Sequence, residues 1–307
     1  MTPRVIGTAA ELRALARAGD RAVVMTMGAL HEGHAALVRA ARDRVGPLGQ
    51  VVVTVFVNPL QFGAGEDLER YPRTLEADLE VAGKEGADVV FAPSAAEVYP
   101  GGEPQVRISA GPMGDVLEGA FRPGHFDGML TVVAKLLHLT APDAAFFGQK
   151  DAQQLALVRR MVRDLNFPVE IVAVPTVREH DGLALSSRNR FLNDAERASG
   201  LALSRALRAG AQAAPQGPAA ALRAARQVLE PAAEQGLDVD YVALIDPEGF
   251  AEITDEARQG DAVLAVAARV GTTRLIDNAP LHFGQSNPGR SNPGRSNLGR
   301  SNLGEAR

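Results

Sequence analysis

A chain of 307 residues with 46% hydrophobic side chains can bury a sizeable core and has room for two domains, while its longest apolar runs, such as 51–57, are too short to span a bilayer. A net charge of -5 argues against a general nucleic-acid binder, and with no cysteine the chain uses neither disulfides nor thiol catalysis. The absence of cysteine and of any signal-peptide pattern leads us to expect a cytoplasmic protein with no membrane partner.

In chain order, apolar periodicity predicts a helix over 11–18, a strand over 21–27, a helix over 33–44 and a buried strand over 50–58. A helix over 73–83, a strand over 88–92 and a longer helix over 124–139 follow. Next come a strand over 144–148, a helix over 151–165 and a strand over 169–177. Strands alternating with helices imply an α/β fold: a doubly wound, Rossmann-like parallel sheet with helices on both faces. After Arg190 the composition shifts to alanine, leucine and arginine, with Pro215 and Pro218 breaking two helices before strand-like runs at 239–245 and 262–267. The expected organisation is therefore a nucleotide- and substrate-binding domain over 1–177, a smaller α+β domain over 178–283, and a tail over 284–307. From Ser286 the tail runs SNPGR, SNPGR, SNLGR, SNLGE, a composition that cannot bury a core and reads as disordered, with no function required of it.

In such sheets ligands collect where strands end. The stretch 25–39, MTMGALHEGHAALVR, takes a strand to Met27, turns at Gly28 and restarts as a helix carrying His31 and His34 near its first turn. A helix start offers free backbone N–H groups and a positive dipole end, which suits phosphate. Imidazole can donate a hydrogen bond to a phosphoryl oxygen when neutral, and as imidazolium it also offsets charge. Gly33 between the histidines leaves room for a ligand to approach the backbone. The same residues also fit a pair of surface histidines, whereas a zinc site needs ligands that this spacing does not supply. After the next strand, Gln61 offers an amide to a small polar substrate and Phe62 an apolar wall, although a surface loop fits equally. Lys150 and Asp151 open a helix after Gly148, with Gln154 one turn in; the lysine can reach a phosphate or remain solvated. Of the 32 basic side chains only Lys84, Lys135 and Lys150 are lysines. Ser186, Ser187 and Arg188 suit a polyphosphate, or else a helix cap with a surface arginine.

His31-Glu32-Gly33-His34 resembles the HxGH signature of the nucleotidyltransferase superfamily, whose members attack the α-phosphate of ATP and release pyrophosphate. The longer string TMGALHEGH resembles the pantothenate synthetase family. So do FVNPLQFG, EDLERYPRTLEAD, RPGHFDG, FGQKDAQQL and LALSSRN, in the family's order, from Val23 to about Asp277. Met25 departs from the pattern, which commonly has proline there, and the pentad tail matches nothing in it.

The resemblance implies ATP-dependent condensation of pantoate with beta-alanine, giving pantothenate, AMP and pyrophosphate through a pantoyl adenylate. It implies catalytic roles for His34, His31, Lys150, Ser186, Ser187 and Arg188. ATP would lie against Met27, Gly28, His31, Gly33, His34, Gly148, Gln149, Lys150, Asp151, Val177, Leu185 and Ser186 to Arg188. Pantoate would be held by Gln61 and Gln154, with Asn58 and Met27 beside it. Mg²⁺ would accompany ATP, its protein ligands unassigned. A homodimer is implied, and a mobile wall around Tyr71. The smaller domain would cover the nucleotide like a lid. His125 receives no role; His138 and His180 are taken as structural.

Overall fold

In the computed structural model, which describes residues 2–63 and 68–284, the chain is organised around a strand in the middle of a parallel sheet. The pentad tail from Ser286, and part of the glycine-containing excursion after Asn58, lie outside the described residues.

Six strands form that sheet: β1 (Arg4–Ile6), β2 (Arg21–Thr26), β3 (Gln50–Val55), β4 (Val89–Phe91), β5 (Ala144–Gly148) and β6 (Glu170–Val174), in the order β1-β4-β3-β2-β5-β6. Every pairing in it is parallel. The chain therefore runs outward from β2 in one direction through β3 and β4, and in the other through β5 and β6. The switch point is the crevice beyond the carboxyl ends of β2 and β5, where such folds bind ligands.

Successive residues of the central strands face opposite sides, and both sides are buried. Val23 and Val52 join a core with Leu130, Val133 and Leu137, whereas Ala22, Val24, Val51 and Val53 join another with Leu37, Val38 and Ala41. The first core is closed by α6 (His125–Thr140) and α7 (Ala152–Asp164), with α1 (Ala9–Arg13) against α6; the second is closed by α2 (Glu32–Val45) and α3 (Leu75–Lys84). Short helices α4 (Ala95–Val98) and α5 (Glu118–Phe121) complete this part. Burial on both faces explains why the strands read as continuous apolar runs.

Downstream, α8 (Asp194–Ala213) and α9 (Pro218–Ala233) pack on an antiparallel sheet of β7 (Leu237–Ile245), β8 (Gly260–Val270) and β9 (Thr273–Phe283), in that order. Leu203, Leu207, Leu229, Leu264 and Phe283 share its core. The fold is thus a doubly wound parallel sheet followed by a smaller antiparallel unit.

The main departures from the sequence reading in the parallel-sheet part are three boundaries and one added strand, each with a local reason. Thr8 caps α1 in a capping box with Glu11, so that helix begins at Ala9 and closes at Arg13 instead of spanning 11–18. Strand β3 stops at Val55, because Asn58 caps a 3-10 turn over Pro59–Gln61. Strand β6 ends at Val174, before Pro175, which has no N–H to continue a ladder. Strand β1 was not expected: two of its three residues are exposed, leaving no periodic signal.

Candidate active site

The junction of β2 and α2 is built by hydrogen bonds around two left-handed residues. Gly28 (φ 86°) and Ala29 (φ 52°) turn the chain out of the strand. The Thr26 hydroxyl accepts the Gly28 N–H at 3.2 Å, and the carboxylate of Asp78 on α3 accepts the N–H groups of Ala29 (3.1 Å) and Leu30 (2.8 Å). Asp78 is 2% exposed and also accepts the Thr74 hydroxyl. A Cβ on Gly28 would come within 3.0 Å of that carboxylate.

Two imidazoles cap the helix that follows. His31 Nδ1 accepts the Gly33 N–H at 3.1 Å, and His34 Nδ1 accepts the His31 N–H at 3.3 Å; the ring centroids lie 4.2 Å apart. Both Nδ1 atoms are acceptors, so in each neutral ring the proton sits on Nε2, which remains a donor. Desolvation, with Lys150 second, lowers the His31 pKa. Desolvation, with His31 second, takes His34 down to about 3. Near neutral pH, in the free protein, His34 is a neutral ring that can donate through Nε2. The space beside Gly33 is filled by the His31 ring, which a Cβ there would meet at 2.8 Å. Glycine at position 33 therefore lets the His31 ring close the cap.

Asn58 and Gln61 form a second cluster under Met27. Asn58, 1% exposed, donates to Gln61 Oε1 (3.0 Å) and to the carbonyl of Gly128 (3.1 Å), and accepts the Tyr99 hydroxyl at 2.8 Å. Gln61 Nε2 reaches Met27 Sδ at 3.3 Å, and its carbonyl accepts His125 Nδ1 at 2.8 Å. His125 thus supports the Gln61 turn, and Arg122 contacts the other ring nitrogen at 3.0 Å. Phe62 packs edge-on against Tyr71, 5.9 Å between centroids.

A cleft of about 710 Å³ gathers Lys150, Asp151, Gln154, Ser186 and Arg188, with Arg122 and His125 on its wall. His31, His34 and Gln61 stand outside its lining, joined to it through their neighbours: the charges of Lys150 and Asp151 act on both histidines. Lys150 Nζ stands 3.5 Å from Asp151 Oδ1. Desolvation, the largest influence, raises the Asp151 pKa, but Lys150, Arg188 and His125 together outweigh it and hold the carboxyl below its ordinary value. Open space surrounds Gly148, and the Gln149 N–H bonds the Val174 carbonyl.

Of the two glutamines that follow, Gln153 is pinned to Met113, Val116 and Glu118, leaving Gln154 facing the cleft. In the third cluster, Leu185 N–H bonds the Val177 carbonyl at 3.0 Å, and Ser186 Oγ accepts the Arg188 N–H at 3.2 Å. The cap reading of Ser186 is therefore realised, alongside its place in the cleft. Elsewhere His138 packs on Phe167, and His180 is exposed.

Sequence reasoning passed over Asp78 and Gly128. Asp78 closes the stretch EDLERYPRTLEAD and Gly128 the stretch RPGHFDG, and neither residue received a role of its own there. Gly128 stands where a Cβ would lie 2.0 Å from the Leu60 carbonyl oxygen, so only glycine lets α6 seat the Gln61 turn. A glycine inside a long apolar helix was the available signal.

A parallel sheet whose switch point brings a histidine-capped helix, a lysine-carboxylate pair and a polar cleft together defines an α/β enzyme of the nucleotide-binding type. A family model described as Pantoate-beta-alanine ligase matches residues 4–280. Pantothenate synthetase of Streptomyces avermitilis is 62% identical over 94% of this chain and 100% of its own. The structure of pantothenate synthetase from Thermus thermophilus superposes with a TM-score of 0.83 at 49% identity, over 90% of this chain and 98% of that one. That of pantoate-beta-alanine ligase from Francisella tularensis, in complex with beta-gamma ATP and beta-alanine, gives 0.73 at 30% identity over 90% and 97%. The chain belongs to the pantoate-beta-alanine ligase family and is a ligase.

Proposed function

We infer that the chain condenses pantoate with beta-alanine, consuming ATP and releasing AMP and pyrophosphate through a pantoyl adenylate. A carboxylate is a poor acyl donor. Attack of a pantoate carboxylate oxygen on the α-phosphorus expels pyrophosphate, and the amine of beta-alanine then attacks the acyl carbon and expels AMP. No protein nucleophile is required.

In this reading the Nε2–H groups of His31 and His34 donate to phosphoryl oxygens, Lys150 adds a point charge, and Arg188 adds paired donors beside Ser186 and Ser187. Gly28, Gly33, Gly148, Gln149, Val177 and Leu185 shape the nucleotide's bed, and Asp151 holds Lys150 in place. Gln61 and Gln154 orient pantoate, with Asn58 and Met27 fixing Gln61, so much of the acceleration comes from positioning. Mg²⁺ would travel with the triphosphate. Among the described residues no three His, Asp or Glu side chains gather to hold a metal, while the ionised Asp151 fits a cation bound mainly through substrate oxygens. Mg²⁺ would offset charge on those oxygens.

Residues 1–177 would bind both substrates, and 178–283 would close over the nucleotide as a lid. A cytoplasmic homodimer without nucleic-acid partners completes the proposal; among the described residues no helix is long and apolar enough to cross a membrane. The observation that carries the reading is the cleft that gathers Lys150, Gln154, Ser186 and Arg188 beside the β2/β5 crevice, in a chain of the pantoate-beta-alanine ligase family. AMP release with pantoate and beta-alanine, added singly and together, tests it. Sustained release is expected only with both, and turnover indifferent to pantoate would overturn it.

A further inference from the structure

The loop that presents Lys150 is held by a residue far along the chain, on the antiparallel sheet. Asn278 of β9, 7% exposed, donates its side-chain amide to the backbone carbonyls of Gln149 (2.9 Å) and Lys150 (2.8 Å). Its neighbour Asp277, 4% exposed, accepts the two terminal nitrogens of Arg178 at 2.6 and 3.0 Å, and its Oδ1 also accepts the Asn278 N–H at 2.8 Å. Arg178 in turn donates to the Gly182 carbonyl at 3.1 Å and bridges to Ala184, at the root of the segment leading to Ser186. One dipeptide of β9 therefore grips the loop after β5 and the loop after β6. Its own register is fixed by pairing with Ala265 and Val266 of β8.

Two carbonyls bound to one amide leave the backbone of 149–150 little freedom to rotate, and Lys150 extends from that backbone on a flexible four-carbon stem. The ammonium's reach into the cleft is set where the stem begins. We propose that Asn278 is a positioning residue for adenylation: it fixes the root of Lys150, and through Asp277 and Arg178 it locks the Lys150 loop to the Ser186–Arg188 segment. This rests on Lys150 serving the phosphates. The two loops then hold one spacing as the triphosphate is gripped, and displacement of about 1 Å at such a site can cost on the order of 10²-fold in rate.

Single-turnover pyrophosphate release from ATP and pantoate, in the full chain, tests the proposal with Asn278→Ala, Lys150→Ala and the double variant. Asn278→Ala is expected to slow release by about 10- to 100-fold, with the KM for pantoate unchanged and pre-formed pantoyl adenylate still consumed by beta-alanine at the parent rate. The double variant should be no slower than Lys150→Ala alone, because the spacing that Asn278 holds between the two loops acts on the phosphates through the Lys150 ammonium. Multiplying effects in the double variant, or an unchanged rate in Asn278→Ala, would overturn the proposal. If Lys150→Ala leaves release unchanged, the phosphate role of Lys150 fails first and takes the proposal with it. Should Asn278→Ala not fold, Asn278→Asp keeps the size while removing both donors, and it carries the same expectations.

Discussion

His34 accepts the backbone N–H of His31 on its Nδ1, 3.3 Å away, so its ring is fixed in one tautomer by the helix it caps. Desolvation and the neighbouring His31 take its pKa from 6.5 to about 3. The folded state therefore binds fewer protons than the unfolded one between these values, and His34 contributes stability that is full above pH 6.5 and is lost as pH falls toward 3. Nitrogen NMR should show a neutral ring protonated on Nε2 at pH 5. His34→Gln should flatten the decline of the urea midpoint between pH 6 and 4. A ring titrating near its ordinary value would contradict this.

On the proposed reading, the same tautomer makes His34 a donor to phosphoryl oxygen in the adenylation step. His34→Ala should slow pyrophosphate release by on the order of 10² to 10³, the usual effect of losing one such donor. With pre-formed pantoyl adenylate the amine step should suffer much less, since pyrophosphate has already gone. Gln61→Ala, which loosens the acyl portion throughout, should impair both steps. Equal losses in both steps for His34→Ala would place the histidine's role elsewhere.

Asp78 anchors the turn that aims this helix. Asp78→Ala leaves the N–H groups of Ala29 and Leu30 without their acceptor and the left-handed Ala29 without its clamp. The expected loss is about 2–4 kcal/mol, from two orphaned buried donors. Adenylation should fall in the same variant, because His31 and His34 follow this turn directly. Asp78→Asn keeps one acceptor and should fall between the two. Urea unfolding alongside single-turnover release separates the effects, and an unchanged midpoint would show that the turn holds without the carboxylate.

The parallel sheet was legible because β2 and β3 are buried on both faces and carry the valine-rich runs that burial demands. The order of the strands was legible in kind but not in detail, since the β1 half of the Arg4–Val89 pairing that seats β1 on β4 has no periodic signal around it. At the site, residue type announced His31, His34 and Lys150, whose chemistry is local. What supports them was silent. Asp78 lies 48 residues beyond the Leu30 that it holds and Asn278 128 beyond Lys150, so although Asp78 closes the stretch EDLERYPRTLEAD, nothing local tells which backbone either residue will hold. Their roles exist only once the chain has folded.

The final prediction concerns the helix that seats the pantoate glutamine. A Cβ on Gly128 would fall 2.0 Å from the Leu60 oxygen, 2.4 Å from its carbon and 2.8 Å from the Gln61 nitrogen, all backbone atoms that cannot swing aside. Either α6 or the Pro59–Gln61 turn must move. Helix α6 is packed along its length by Met129, Leu130, Val133 and Leu137, whereas the turn is three residues long, so the turn is the part expected to give. Its displacement would also stretch the Asn58 bond to the Gly128 carbonyl, now 3.1 Å, and the His125 bond to the Gln61 carbonyl, now 2.8 Å. Gly128→Ala should therefore lose about 1–3 kcal/mol of stability, as overpacking does. It should also raise the KM for pantoate roughly tenfold or more while leaving that for ATP near its parent value. Steady-state kinetics with each substrate varied in turn, next to a thermal melt, measures both effects. A variant that melts early yet binds pantoate normally would show that Gln61 is held by Asn58 and Met27 alone, independently of the helix beneath it.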